Sequence, residues 1–78
     1  MGENNDIPKL FGKVLRRCRE RNELSQAKLA EVCGLDRTYI SLLERGKRQP
    51  SLKTIFVLAE AFHISPSTLI KSVEELKK

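Results

Sequence analysis

Apolar residues recur along most of this chain at intervals of three and four, the spacing of one helical face. Leu10, Phe11, Val14, Leu15 and Cys18 form the first such stripe, and Lys13, Arg16, Arg17, Arg19 and Arg21 make a basic outer face expected to be solvated. Asp6 is placed to cap this helix and Pro8 to sit in its first turn, while Asn22 and Glu23 end it. Ser25 opens a second, short helix with Ala27, Leu29, Ala30 and Cys33 as inward candidates. A third runs from a cap at Asp36 to about Arg45 and stops at Gly46, with Ile40 and Leu43 spaced to enter a core. The fourth follows Pro50 and a cap at Ser51, and carries Leu52, Ile55, Phe56, Leu58, Ala59 and Phe62. Ser65-Pro66 gives a cap and a first-position proline to a fifth, which holds Leu69, Ile70, Val73 and Leu76. No segment alternates like a strand over a useful length. Helices with one apolar stripe each must pack those stripes together, so the pattern predicts an all-α, compact five-helix bundle. Residues 1–6 are polar and aperiodic and are expected to form a flexible tail, leaving 7–78 as a single domain.

Composition sharpens this. A chain of 78 residues has room for one domain, near the small end for independent folding, so self-association is a natural supplement to its core. Fifteen Lys and Arg against ten Asp and Glu give a net charge of +5, which favours a polyanionic partner without choosing between nucleic acid and a lipid surface. No apolar run approaches a membrane span, and the opening MGENNDIP lacks the order of a signal peptide. Asp6 stands where a myristoylation signal wants Ser or Thr. The expectation is a cytoplasmic protein, or a nuclear one in a host with a nucleus. Cys18 and Cys33 form no C-x-x-C pair, show no metal spacing with His63, and read as small apolar residues inside helices, a disulfide being the alternative. His63 closes the fourth helix, where a cation suits the dipole. There is no Gly-rich phosphate loop, no carboxylate pair beside a nucleophile and no His–Cys dyad, so the chain does not read as an enzyme and implies no cofactor. Short helices also leave little room for a pocket, and no small-molecule effector is expected.

The most informative segment is Gly34–Gly46. It places a tight turn after the second helix and then a third helix with two faces: Ile40 and Leu43 inward, Arg37, Thr38 and Ser41 on another side. A helix, a glycine turn and a helix with polar residues at its start is the layout used to read a DNA major groove. In isolation Arg37 is an ordinary solvated charge; in this setting its guanidinium fork matches the O6 and N7 acceptors of guanine. Thr38 offers a hydroxyl and a methyl to a base edge, and Ser41 lies one turn further on. Gln26 follows the cap of the second helix, where its side chain and free backbone N–H groups can meet a phosphate. Tyr39, Arg45, Lys47, Arg48 and Lys53 surround the third helix as phosphate contacts, although Tyr39 fits a core position with its hydroxyl at the surface equally well. Residues 36–53 hold five cations against Asp36 and Glu44, an excess of three out of the chain's +5. Glu44, adverse to an anionic ligand, is expected to pair with a neighbouring arginine or hold the loop.

The pattern S-Q-x-x-L-A-x-x-x-G-L-x-x-x-x-I-S-x-x-E-R-G, followed by P-S-L-x-T-I and L-A-x-A-F-x-I-S, resembles the Cro/C1-type (XRE-like) helix-turn-helix family from about Leu24 to Leu69. The segment L-D-R-T-Y-I-S at Leu35–Ser41 is most similar to controller proteins of restriction–modification systems. That resemblance implies a lambda-repressor-like DNA-binding domain with its motif at about 25–45. It implies a homodimeric transcription regulator, repressor or activator, on palindromic operator half-sites, with RNA polymerase as a further candidate partner. It also implies base contacts at Arg37, Thr38 and Ser41, and at Leu42, where a leucine has only apolar contact to offer. The competing reading is an antitoxin or adapter of the same fold whose main partner is another protein.

Self-association follows from geometry as well. One recognition helix covers a few base pairs, whereas two helices about 34–36 Å apart read successive major-groove turns. The apolar residues of the fourth and fifth helices exceed one stripe, and Leu52, Ile64, Pro66 and Ile70 are the expected dimer contacts, with a core role as the alternative for some of them.

Overall fold

The computed structural model describes residues 6–77, and within them the five expected helices are present: α1 (Ile7–Arg21), α2 (Gln26–Cys33), α3 (Arg37–Glu44), α4 (Leu52–Ala61) and α5 (Pro66–Lys77). The expected flexible tail, apart from Asp6, lies outside the described residues.

Local signals set the boundaries. The Asp6 carboxylate accepts from the Lys9 backbone N–H at 3.1 Å, and the hydroxyls of Ser25, Ser51 and Ser65 accept from Lys28, Thr54 and Thr68 at 3.0, 3.0 and 3.1 Å. Each satisfies one of the N–H groups a helix start leaves open. Asp36 occupies the corresponding position of α3, but its side chain makes no capping bond. At the other ends, α1 to α4 each close with a pair of backbone bonds reaching back over the last turn, as in Leu35 N–H to Ala30 O at 2.9 Å and Lys47 N–H to Leu42 O at 2.9 Å. This closure needs one left-handed residue. Gly34 (φ 68°) and Gly46 (φ 72°) supply it for α2 and α3, but Glu23 (φ 58°) and His63 (φ 59°) supply it for α1 and α4.

α1 packs on α3 and α5, α2 on α3 and α4, and α4 on α5. Leu15, Leu29, Ile40, Leu43, Leu58 and Leu69 are fully buried, so every helix delivers at least one side chain to a single core. Ala27, expected to point inward, is exposed. It stands in the first turn of α2, about 200° around the helix from the fully buried Leu29, and α2 buries only Leu29 and Ala30. Cys18 and Cys33 are free, half-buried and packed against the core, and burial pushes both thiols up. No helix among the described residues is long and apolar enough to cross a membrane.

Candidate nucleic-acid interface

α3 is held by its inner face. Ile40 and Leu43 are fully buried, and α1 comes up against its C-terminal end at Gly12. On the other side Arg37 and Thr38 are exposed in the first turn, while Ser41 and Leu42 are half-buried. Arg37 and Ser41 are four residues apart, as are Thr38 and Leu42, so the four residues expected to read bases share one side of the helix. A rigid helix presenting a guanidinium fork, two hydroxyls and a short apolar side chain can donate to, accept from and pack against base edges.

A polar cluster locks the motif from beneath. Glu44, the last residue of α3, accepts from Arg19 Nε at 2.6 Å and Nη2 at 3.1 Å. The third limb of the same guanidinium, Nη1, donates to the Leu24 carbonyl at 2.8 Å. Glu44 Oε1 also accepts from Gln26 Nε2 at 3.0 Å. The hydrogen bond to Glu44 pushes the Arg19 pKa up, against desolvation, which lowers it. Glu44 therefore pairs with an arginine, as its setting demanded, but the partner is 25 residues away in sequence. Arg19 was expected in the solvated face of α1; its position toward α3 buries it instead. Gln26, expected at a phosphate, stands at the first position of α2 with one amide hydrogen committed to Glu44.

The loop after α3 carries the remaining charge. Arg45, Lys47 and Arg48 are exposed, and Lys53 is exposed in the first turn of α4. The Arg48 guanidinium lies 5.6 Å from the centre of the Tyr39 ring, within cation–π range. Tyr39 itself is half-buried against the core, with its hydroxyl 3.4 Å from Thr54 Oγ1. Thr54 is buried and also accepts from Ser51 Oγ at 3.0 Å, so the α4 cap, the tyrosine and the basic loop form one connected set. The Tyr39 ring thus packs against the core with Arg48 over it, while its hydroxyl is held at Thr54. Thr54, the threonine of P-S-L-x-T-I, is buried through this network, a role its polarity does not announce.

Of the four expected dimer contacts, Leu52 is 72% and Ile70 45% exposed, Pro66 is half-buried, and Ile64 is half-buried against the core. Phe56, one turn after Leu52, is 56% exposed. Ile70 also lines an open apolar groove of about 670 Å³, together with Ile7, Phe11, Pro50, Ile55 and Val73. The groove is open to the surface and lies between the starts of α1 and α4 and the C-terminal half of α5. No group of three or more metal-ligating side chains occurs among the described residues.

Comparison with known proteins agrees with this geometry. The helix-turn-helix family profile matches residues 15–69. The control protein C.SmaI of Serratia marcescens is 42% identical over 83% of this chain and 77% of its own length. The control protein C.BamHI of Bacillus amyloliquefaciens is 43% identical over 85% and 83%. Among solved structures, the restriction–modification controller protein C.AhdI of Aeromonas hydrophila superposes with a TM-score of 0.77 at 45% identity, covering 80% of this chain and 94% of that one.

Proposed function

The chain belongs to the helix-turn-helix family, and from that premise we propose that it is a sequence-specific DNA-binding transcription regulator, a controller protein of a restriction–modification system acting as a homodimer on palindromic half-sites. The observation that carries the reading is the two-sidedness of α3: Ile40 and Leu43 fully buried, Arg37 and Thr38 exposed at its start. In this reading Arg37, Thr38, Ser41 and Leu42 enter the major groove and distinguish bases. Gln26, Tyr39, Arg45, Lys47 and Arg48 meet backbone phosphates and set the register of the helix. The apolar surface at Leu52, Ile64, Pro66 and Ile70 joins two protomers so that two recognition helices reach successive turns of one DNA face. The protein acts in the cytoplasm by binding and not by turnover, with protomer concentration as its control: dilute monomers bind poorly and dimers well. Where it activates, RNA polymerase becomes a partner.

Selection of bound sequences from a random duplex pool, followed by a salt titration on the winner, tests this. A palindromic winner with a guanine in each half-site is the expected result. Weak, salt-sensitive binding without enrichment would overturn it in favour of an adapter or antitoxin whose main partner is a protein.

A further inference from the structure

Arg19 commits each of its three guanidinium nitrogens within the fold, Nε and Nη2 on the two oxygens of Glu44 and Nη1 on the Leu24 carbonyl. Glu44 ends α3, and Leu24 immediately precedes Ser25, the cap of α2. One side chain of α1 thus ties the beginning of the helix-turn-helix motif to its end. Only 12% of the Arg19 side chain and 5% of that of Glu44 are exposed.

The consequence falls on Gln26. A carboxylate only accepts, so the Gln26 amide must turn its nitrogen toward Glu44. With Nε2 held at 3.0 Å, one of its two hydrogens is committed and the other is left for an acceptor outside the cluster. Gln26 stands in the first turn of α2, among backbone N–H groups that have no partner within the helix. A polarised amide N–H and a helix N-terminus together suit an anionic oxygen. Arg19 also neutralises Glu44, whose bare charge would repel that oxygen. We propose that Arg19 is a positioning residue for DNA binding: acting through Glu44, it orients the Gln26 amide toward a backbone phosphate. The inference rests on the DNA-binding reading given above.

Stability alone does not require such a cluster, because a buried ion pair exchanged for apolar side chains of similar size is often neutral or stabilising. That fact supplies the test. Arg19→Met combined with Glu44→Leu leaves the net charge unchanged and removes the partner of Gln26. Operator affinity is measured for the wild type, for this paired variant, for Gln26→Ala and for all three changes together, with helicity and thermal melting recorded for each. The expected result is a paired variant that stays folded and binds about tenfold more weakly, the scale of one hydrogen bond to a charged group. Gln26→Ala alone produces a similar loss and adds nothing in the paired background. Full affinity in the paired variant, or the same loss from Gln26→Ala in both backgrounds, would overturn the proposal. If the paired variant does not fold, the cycle is run with Arg19→Lys, which keeps Glu44 neutralised but gives up the fork. There, a smaller effect of Gln26→Ala supports positioning and an unchanged effect refutes it. Failure of the wild type to prefer any duplex sinks the DNA-binding reading itself, whereas specific binding with no coupling sinks only this inference.

Discussion

Gly12 of α1 lies so close to Leu43 of α3 that a Cβ on the glycine would stand 2.5 Å from the leucine carbonyl oxygen, and equally close to that of Glu44. The obstacle is backbone, which cannot rotate away as a side chain end would. Gly12→Ala must therefore push α1 off the C-terminal end of α3. Alanine gains about 1 kcal/mol over glycine in a helix interior, but overpacking against a fixed backbone costs about 1–3 kcal/mol. The expected outcome is a net loss of stability in urea unfolding, with operator affinity falling by more than the loss of folded protein accounts for. A stabilised variant would mean that the two helices can separate freely.

Arg37→Ala is expected to cost about 1–3 kcal/mol in operator affinity and to relax preference at one base position per half-site. Repeating the duplex selection with the variant checks this. Uniform weakening on every sequence would make Arg37 a phosphate contact.

Arg48 offers a different signature. If its guanidinium neutralises a phosphate, Arg48→Ala leaves the selected sequence intact and lowers the slope of log affinity against log salt by about one per protomer. Arg48→Lys keeps the charge but loses the planar contact with Tyr39, 5.6 Å away in the structure, so it should retain the slope while binding somewhat less tightly. An unchanged slope in the alanine variant would remove Arg48 from the phosphate surface.

These residues differ in how they became visible. Ser25, Ser51, Ser65-Pro66, Gly34 and Gly46 act within a few residues of themselves, and each stands where the chain alone placed it. The two faces of α3 are equally local, because Ile40 and Leu43 define one side and Arg37 and Thr38 are then forced to another. Arg19 and Gly12 are different. Their partners in α3 arrive from the far end of the motif, and nothing in the periodicity of α1 separates Arg19 from Arg16, Arg17 or Arg21. The charge of Glu44 announced that an arginine was needed; only the crossing of α1 over α3 decides which one. Ala27 shows the same limit for apolar residues, since a small side chain at a helix start fits a core or a surface equally well. Asp36 shows it for caps: the residue type and position were right, yet the side chain makes no bond to the helix it precedes.

Glu23 carries a cost that substitution should release. It closes α1 in the left-handed region at φ 58°, where a Cβ meets the following carbonyl, and it places a negative charge just past the negative end of the α1 dipole. Glycine adopts this conformation without the clash but loses more freedom on folding. The balance favours Glu23→Gly by about 0.5–1 kcal/mol, seen as a raised midpoint in thermal or urea unfolding with operator affinity unchanged. A lowered midpoint would show that Glu23 makes a favourable interaction that outweighs its backbone.

Ile70 separates self-association from folding. It is 45% exposed on α5, beside the fully buried Leu69, and it lines the groove that α5 shares with Ile55 and Phe11. A glutamate there keeps its carboxylate in water in the monomer, so the cost to folding is expected to stay within about 1 kcal/mol. In a dimer that covers this surface the same carboxylate must be desolvated without a partner, once in each protomer, because a two-fold interface presents every residue twice. Ile70→Glu should therefore sediment as a folded monomer at concentrations where the wild type is dimeric. Operator binding should fall steeply, because each monomer then brings only one recognition helix. Helicity and melting temperature measured on the same sample decide the outcome. If helicity is lost along with the dimer, Ile70 belongs to the core; if the variant stays both folded and dimeric, the interface lies elsewhere, with the exposed pair Leu52 and Phe56 on α4 the next surface to substitute.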